Sequence, residues 1–430
     1  MTQTALDLPR NRLDSSALNA AVLRFSERSD PGVIDARPQP TGFVLTTLMA
    51  CVLLQRFVIP LGPDMKVPVA TPIVLGVAML ELAAGRLRLN AKRFLLFSAL
   101  VATALLGLVL HNLASTAPEV SFASLANGLL VTAFATLTFE TAMPERKFFR
   151  YFTACFGIVA VASVLQFVGQ FFGVMAFEFS GVIPKEYLLE GDFTTFQPIA
   201  YGVDIFRSNG FFLAEPSLVG QFMAVAVMIE ILCECRVAWL MLYIAAMIVA
   251  VSGTGMLVLA AFVAPMALWS GRRGLLMVLV MAGIAVVAFF VVALAMPDLV
   301  NIILVRSGEF SDQEASGNAR FIGAFAIVVD AVRLWPWAIA IGTEPGIADH
   351  LDVPYLYLPN TATKYIIEYG ILGFTLYLAL ILSAQRTSRQ KALLIPMLVL
   401  LLLTGQYQQF SPIVFPVLLI ITVARLREAT

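Results

Sequence analysis

After Pro40, apolar stretches follow one another almost without interruption, and this succession restricts the fold more than any other feature of the chain. Of the 430 residues, 60% are hydrophobic and 13% are charged, whereas about 25% are charged in an ordinary globular protein. A water-soluble core cannot bury so much apolar surface, so we expect lipid to be the solvent. The sequence therefore predicts an all-α polytopic membrane protein, because in lipid the backbone must satisfy its own hydrogen bonds.

Hydropathy predicts about 12 transmembrane helices, since a membrane span needs about 20 apolar residues. Their expected bounds are 42–62, 67–85, 94–112, 120–142, 149–177, 216–233, 237–251, 255–270, 275–296, 362–384, 392–405 and 412–424. The pair 237–251 and 255–270 is shorter than two full spans, and so is the pair 392–405 and 412–424. Each of these pairs could form one bent hairpin.

Basic residues give these predicted helices an orientation. Most of the 28 Lys and Arg residues fall in inward segments when residues 1–41 are placed inside, as the positive-inside rule requires. We therefore predict a cytoplasmic N-terminal tail at 1–41, a transmembrane domain at 42–427 and two cytoplasmic termini. The 28 Asp and Glu residues balance the basic ones, and no basic face for nucleic acid is present.

Two outward segments, at about 178–215 and 297–361, are long enough to build a specific site. The inward segments are short and charged, as membrane anchors are, so we expect the specific work of the protein on the outward face. The first segment ends at Glu215, directly before a helix that opens with Pro216. A carboxylate is favoured at this end of a helix, so Glu215 could be a helix cap or a functional acid.

Arginines in or near the outward segments are candidate binders of an anionic substrate. Arginine presents a planar set of donors that matches phosphate oxygens, and it stays charged at any working pH. Arg207 lies in the first segment, and Arg306 and Arg320 lie in the second. Arg56 lies inside the first predicted helix, where an ionisable residue is by default a functional candidate. Arg207 could instead contact a lipid headgroup or form a salt bridge, and Arg56 could snorkel to the outer headgroups.

The second outward segment also holds candidate groups for proton transfer and sugar contact. His350 is one such group, because the unperturbed pKa of histidine, near 6.5, makes it the easiest proton acceptor at neutral pH. Either His350 or Glu215 could act as a base, and the sequence leaves this choice open. Tyr355 and Tyr357 could stack on sugar rings or belong to an interfacial aromatic belt. His111, at the end of the third predicted helix, is expected to be a polar end residue.

An apolar periodicity from Phe321 to Leu334 predicts a helix that lies along the outer interface, with Arg320 at its N-terminus. Its expected apolar face includes Phe325 and Val329. The next predicted helix begins just after Asn360 and carries Lys364 in its first turn. Both residues are candidate substrate-binding groups because they end the second outward segment.

Several short motifs, in their order along the chain, resemble the O-antigen polymerase and ligase superfamily. They are Arg207-x-x-Gly-Phe-Phe-x-x-Glu-Pro-Ser217, Ser252-Gly253-Thr254-Gly255, the outward segment with Arg320 and Gly342, and Pro359-Asn360 followed by Glu368-Tyr369-Gly370-Ile371-Leu372-Gly373. Glu-Pro-Ser is most similar to exopolysaccharide polymerases of the xanthan type. Ligases more often have Asn-Pro-Asn there, and a histidine where this chain has Pro359.

The resemblance implies a glycosyltransferase of the bacterial inner membrane that joins repeat units carried on undecaprenyl diphosphate, at the periplasmic face. Cationic donors must stabilise such a leaving group, and Arg207 and Arg320 are the first candidates, followed by Arg306 and Arg56. No metal or other cofactor is expected, because no Asp-x-Asp pair occurs in an outward segment. The expected partners are the lipid-linked oligosaccharide, the growing polysaccharide, the bilayer, and proteins that control chain length or export.

Two other functions remain open at this point. A ligase would transfer the glycan to a different acceptor, and only Glu215-Pro216-Ser217 and Pro359 favour a polymerase over it. A flippase or transporter of lipid-linked sugar would show broken helices and charges near the midplane. Most predicted helices here are uninterrupted, and the polar residues are concentrated in the two outward segments, which favours an enzyme.

Overall fold

The chain divides into two units, Met1–Pro38 and Gln39–Thr430, and the computed structural model describes most of the second. The described ranges are 39–61, 66–114, 121–174, 182–189, 197–199, 204–269, 316–349, 351–404 and 413–427, with a few single positions between them. Arg306, His350 and most of the predicted helix at 275–296 lie outside these ranges. The predictions for them therefore stay predictions.

The described part is mostly helical, as predicted. Its helices are α1 Thr41–Leu53, α2 Ala70–Ala83, α3 Ala91–Ala114, α4 Phe122–Phe134, α5 Glu145–Gly169, α6 Pro216–Cys233, α7 Val237–Ala250, α8 Gly253–Trp269, α9 Ala324–Leu334, α10 Ala338–Ile341, α11 Thr361–Leu382, α12 Ser388–Leu403 and α13 Val414–Leu418. Ser316–Asn318 and the π-helical turn Ala319–Gly323 lead into α9, and the π-helical turn Leu419–Val423 continues α13.

Three small ladders of two strands each join the ends of helices, and none of them was predicted. Antiparallel pairs are formed by β1 Val58–Pro60 with β2 Lys66–Pro68, and by β3 Leu87–Leu89 with β4 Leu137–Phe139; β5 Met143–Pro144 runs parallel to β6 Leu426–Arg427. These strands shorten two predicted helices. The first helix ends at Leu53 and the fourth at Phe134, because the residues that follow turn into β1 and β4.

Four described helices are long and apolar enough to cross a membrane by length and composition. They are Ala91–Leu113, Glu145–Phe172, Pro216–Cys233 and Thr361–Leu382. Six other apolar helices in the described part have between 10 and 17 residues. This set is consistent with a membrane-embedded helical protein.

Segments that the sequence predicts to be inward contact one another. The β3–β4 and β5–β6 ladders join three of them: the segment before α3, the segment before α5 and the segment after α13. The buried Arg93 guanidinium donates to the carbonyls of Ala135 and Thr422, each at 2.8 Å. Glu145, at the start of α5, accepts from Arg389 at 2.8 Å. These ion pairs and hydrogen bonds connect the helix ends that carry most of the basic residues.

Segments that the sequence predicts to be outward form a second group of contacts. Leu188 bridges to Phe57 beside the β1–β2 ladder, and the Lys66 ammonium donates to the Leu188 carbonyl at 3.5 Å. Farther along the chain, the Ser121 amide donates to the Pro345 carbonyl at 3.2 Å. The side of the membrane on which each group lies stays a prediction.

Helix α6 is the most buried of the four long apolar helices and packs between α5, α7 and α8. Its Phe222 ring stacks on Phe156 of α5 at a centroid distance of 4.5 Å. On another side, Gly220 meets Gly255 so closely that a Cβ at Gly255 would lie 2.5 Å from the Gly220 carbonyl carbon. The second glycine of the Ser252–Gly255 motif therefore allows α6 and α8 to touch.

Helix α11 is broken at Gly370, although the sequence predicts an uninterrupted helix. Gly370 has φ +70° and ψ 176°, which only glycine adopts readily. The backbone of Gly342, just after α10, fills the break, and a Cβ on Gly342 would lie 2.3 Å from the Glu368 carbonyl oxygen. The two glycines thus allow the second outward segment to pack directly against the backbone of α11.

Candidate functional site

The first outward segment reaches α6 across the end of α5. Gln170, in the turn after α5, holds the backbone of Phe206 from both sides, accepting from its amide at 2.8 Å and donating to its carbonyl at 3.0 Å. The neighbouring Arg207 amide donates to the Gln197 carbonyl at 2.8 Å. Arg207 is thereby placed on a fixed, extended stretch of chain directly beside the end of a long helix.

Gln166 fixes the next three residues of this segment from within the buried core. Its side-chain oxygen accepts from the Ser208 hydroxyl at 2.6 Å and from the amides of Asn209 and Gly210 at 3.1 and 2.9 Å. Its side-chain amide donates to the Asn209 side-chain oxygen at 3.0 Å. Gly210 turns the chain at φ +64°, where a Cβ would lie 2.6 Å from the Ser163 hydroxyl oxygen. The Asn-Gly pair therefore makes a tightly held turn.

Arg56 binds the far side of the same turn. The residue is 2% exposed, and its guanidinium donates to the Phe211 carbonyl at 3.5 Å and lies 5.3 Å from the Phe179 ring centroid. The neighbouring Gln55 side chain accepts from the Ala214 amide at 3.3 Å. The prediction that Arg56 lies inside the first helix is wrong, because α1 ends before it. Arg56 belongs instead to the turn that leads into β1.

Glu215 is the last residue before α6, and its side chain makes no capping hydrogen bond to the helix backbone. Its carboxylate instead accepts from the Ser217 hydroxyl and faces the guanidinium of Arg320, with Oε2 3.5 Å from Nη2. The Glu215 side chain is 14% exposed and the Arg320 side chain 25% exposed. The two outward segments therefore meet at a half-covered pair of opposite charges.

Arg320 is held by a π-helical turn rather than by a regular helix N-terminus. The Ala319 carbonyl accepts from the Leu358 amide at 3.0 Å, and a Cβ on Gly323 would lie 2.6 Å from the Leu356 carbonyl oxygen. The chain before α11 thus packs on both ends of this turn. The extra residue of a π-helical turn changes the direction of the Arg320 side chain from the one it would have in a regular α-helix. Such turns frequently occur at functional sites.

Helix α9 has a buried side and an exposed apolar side. Ala324, Ile327 and Ala331 are buried, whereas Phe325 and Val329, which belong to the apolar face expected at the outer interface, are 46% and 52% exposed. The small side chains pack against α11 and the following loop, and the large ones remain on the outside. An exposed apolar face beside Arg320 is what a helix at a lipid surface would show.

The two candidate tyrosines hold the loop between α10 and α11. The Tyr355 hydroxyl donates to Asp330 of α9 at 2.6 Å, and the Tyr357 hydroxyl donates to the Leu351 carbonyl at 2.9 Å. Burial raises the pKa of Tyr355, and the bond to Asp330 raises it further. Burial is also the main cause of the raised pKa of Tyr357. Both hydroxyls therefore act as neutral donors, and sugar stacking by either ring stays a prediction.

Asn360 and Lys364 have structural partners at the start of α11. Asn360 is 1% exposed and caps the helix by accepting from the Thr363 amide at 3.0 Å. The Lys364 ammonium, almost fully buried, contacts Asp349 and lies 3.2 Å from the carboxylate of Glu368. These contacts give both residues a structural role, whereas their contact with substrate stays a prediction.

His111 and Glu344 form a buried contact that sequence reasoning missed. The ring nitrogen Nε2 of His111 lies 3.7 Å from Oε2 of Glu344, and both side chains are at most 3% exposed. Glu368 also accepts from the Gly346 amide at 2.9 Å. His111 is thus more than a polar end residue. The His111–Glu344 contact attaches the second outward segment to α3. Lys364, Asp349 and Glu368 form a separate ionic group, the α11 network, which attaches the same segment to α11.

Arg207 and Glu215 lie on one short loop. Arg56 contacts this loop at the Phe211 carbonyl, and Arg320 contacts it at Glu215. Among the residues that the structure describes, no group of three or more His, Cys, Asp or Glu side chains could hold a metal ion. A metal-free reaction stays a prediction. Comparisons with protein-family models, with curated proteins and with solved structures found no match to this chain.

Proposed function

We propose that the protein is a polysaccharide polymerase, a glycosyltransferase that joins oligosaccharide repeat units carried on undecaprenyl diphosphate. The contact between Glu215 and Arg320 carries this proposal, because it joins a carboxylate and a guanidinium from two separate outward segments. Arg207 and Arg56 lie on or against the loop that ends at Glu215. A site with several arginines and one acid suits a substrate that contains a diphosphate and a hydroxyl group.

In the proposed reaction, an acceptor sugar hydroxyl attacks the anomeric carbon of the lipid-linked glycan. The bond between that carbon and the diphosphate oxygen breaks, and the lipid diphosphate leaves with the bonding electron pair. Arg320 and Arg207 stabilise the charge that develops on the diphosphate. The hydroxyl proton goes to a carboxylate or an imidazole, supplied by Glu215 or His350.

Arg320 and Glu215 have a resting arrangement that fits these roles. At 3.5 Å the pair is longer than a close charge-assisted hydrogen bond, which is about 2.7–2.9 Å. A diphosphate that enters between the two groups would replace Glu215 as the partner of the Arg320 guanidinium. Glu215 would then keep the Ser217 hydroxyl as a donor and be available to accept a proton.

We further propose that the chain crosses the bacterial inner membrane about 12 times, a number that the spacing of its apolar stretches favours. Both termini would be cytoplasmic, with the segments 178–215 and 297–361 in the periplasm. Support comes from the positive-inside pattern and from the two separate groups of loop contacts. Arg56, Lys66, Glu215 and Arg320 would then share the periplasmic side.

Transport of a lipid-linked sugar is the second candidate function, and one observation favours it. Helix α11 is broken at Gly370, and the turns before the break carry the buried charges Lys364 and Glu368. Broken helices with buried charges are typical of transporters. However, Lys364 and Glu368 are bound to each other and to the second outward segment, which also fits a structural role.

The decisive experiment supplies purified protein in detergent with an undecaprenyl-diphosphate-linked repeat unit and measures glycan length. We expect longer glycans with the wild type, also in the presence of a chelator, and no elongation with Arg207→Ala or Arg320→Ala. Arg333→Ala is the matched control, because Arg333 lies on the same outward segment, is 76% exposed and pairs only with Asp330 among the described residues. This variant should elongate at the wild-type rate.

Each alternative has its own signature in this experiment. A ligase would transfer the glycan once to an added acceptor and would not lengthen it. A transporter would leave the glycan unchanged in detergent but would move it across the bilayer of a reconstituted vesicle. Full elongation by both arginine variants would refute the diphosphate role, and loss of activity with chelator would refute the metal-free reaction.

A further inference from the structure

A basic cavity of about 410 Å³ lies at the beginning of α5, far from the candidate site. It is lined by Pro144, Arg146, Lys147, Arg150 and Tyr151. Three of these five side chains are cationic, and each of the three is exposed. The cavity is therefore a concave, positively charged surface that solvent or a ligand can enter.

Little negative charge is available to balance these cations within the described residues. Arg150 pairs with Glu234 at 2.7 Å, but Lys147 donates only to the neutral amide oxygen of Gln39, at 3.1 Å. Glu145 is buried and is bound to Arg389 of α12 at 2.8 Å. Arg146 and Lys147 thus carry charge that an added anion could neutralise.

The position of the cations on the helix increases the attraction of the cavity for an anion. Arg146, Lys147 and Arg150 lie in the first turns of α5, where the helix dipole makes the end positive and disfavours cations. An anion in the cavity would interact favourably with all three side chains and with the helix end. The charge, the concave shape and the dipole all select for a negatively charged group of phosphate type.

The surface that leads away from the cavity indicates a lipid rather than a soluble phosphate. Along α5, the exposed residues Ile158, Val161 and Leu165 continue the face of Arg150 at helical spacing. They are 46%, 45% and 63% exposed. This apolar stripe lies on a helix long enough to cross the membrane. A ligand with a phosphate in the cavity could lay its acyl chains along the stripe.

We propose that the cavity binds the headgroup of an anionic phospholipid, with Arg146 and Lys147 as the main phosphate donors and Arg150 as a third. The acyl chains lie along Ile158 and Val161. Because this site is at the opposite end of α5 from Gln166, the proposal does not depend on the proposed glycosyl transfer.

The test measures lipid binding to the full-length protein in detergent by native mass spectrometry. The probes are phosphatidylglycerol and phosphatidylcholine with identical acyl chains, and soluble glycerol phosphate as a competitor. The test variant is Arg146→Gln with Lys147→Gln. The control variant is Lys92→Gln with Arg425→Gln, which removes two exposed cations outside the cavity. All variants are first checked for wild-type elution on size exclusion.

We expect phosphatidylglycerol to bind in preference to phosphatidylcholine and the test variant to bind it about 10-fold or more weakly, since each basic residue contributes about fivefold. The control variant should bind within about twofold of the wild type. Equal binding of the two lipids, or equal loss in both variants, would overturn the proposal. Displacement of the lipid by glycerol phosphate at similar concentrations would show a soluble phosphate site instead.

Discussion

Oε2 of Glu215 lies 3.5 Å from Nη2 of Arg320, although 105 positions separate the two residues in the chain. Each belongs to a different outward segment, and each segment is fixed by its own contacts: Gln166 and Gln170 on one side, and the α11 network on the other. The pair therefore depends on the folding of both segments. Changes at either side are expected to alter activity through this contact.

Glu215→Gln tests whether this carboxylate accepts the proton of the acceptor sugar. We expect kcat for elongation to fall by about 100-fold or more, because general base catalysis contributes about 10²–10⁴-fold. Ser217→Ala keeps the carboxylate and removes only its hydroxyl donor, so its effect should be smaller. A normal rate in Glu215→Gln, combined with an inactive His350→Ala, would assign the base to His350.

Gln166→Leu tests the attachment of the first outward segment to α5. Leucine has a similar size but leaves the Ser208 hydroxyl and the Asn209 amide without their acceptor, which costs about 1–3 kcal/mol. We expect a lower melting temperature in detergent and reduced elongation, since the loop carries Arg207 and Glu215. Asn112→Ala, which removes one hydrogen bond of an exposed side chain, should leave both measurements nearly unchanged.

Gly370→Ala and Gly342→Ala test the close contact at the break of α11. A Cβ at either position would lie within 2.5 Å of backbone atoms of the other segment, and both residues have positive φ. We expect each variant to lose about 3 kcal/mol or more of stability, from the combined clash and strain. Wild-type melting temperatures would contradict the packing described.

Gly76→Ala is the matched control for the two glycine variants. Gly76 lies within α2 and has nothing within 4 Å of an added Cβ. Alanine is favoured over glycine inside a helix by about 1 kcal/mol. This control should therefore melt at the wild-type temperature or slightly above it.

Lys364→Met tests the α11 network. Removing the ammonium leaves the buried Glu368 and the half-buried Asp349 without their cation, and breaking a buried ion pair costs about 3–5 kcal/mol. We expect a large drop in melting temperature. Arg333→Ala breaks the exposed pair with Asp330, which is worth at most about 1 kcal/mol. Equal stability of the two variants would mean that Lys364 is not buried as described.

The sequence predicts the bounds of α6 and α7 within one residue, and the reasons are local. Pro216 suits the first turn of a helix, where the missing amide hydrogen has no partner to lose. The half-buried, charged Arg236 lies between α6 and α7, where an apolar run must stop. The start and the end of such a helix depend only on a few neighbouring residues, so they can be predicted without knowledge of the fold.

Other features depend on contacts between distant segments and could not be predicted in this way. The strands at Leu87–Leu89 and Leu137–Phe139 are too short to show a periodicity of their own. Gly370 lies in a continuous apolar stretch, and only the backbone of Gly342 explains its break. Glu344 gave no signal at all, because its partner His111 belongs to a helix more than 200 positions earlier.

The candidate site was predicted in part. Glu215 and Arg320 were selected by charge and by their place in the outward segments, and the structure brings them together. Gln166 and Gln170 were missed, since a glutamine within an apolar helix resembles any other polar residue of a span. An amide group at membrane depth, one turn from a second one, was the signal that could have identified them.

Helix α5 is long enough to carry the basic cavity at one end and the loop held by Gln166 at the other. From Arg146 to Gln166 the helix rises by about 30 Å, which matches the hydrocarbon thickness of a typical bilayer. In a thinner bilayer a helix of this length must tilt. The tilt would shift the loop held by Gln166 relative to the segment that bears Arg320. We therefore expect the rate of the proposed glycan elongation to vary with the acyl-chain length of the bilayer. It should be highest where α5 is not tilted.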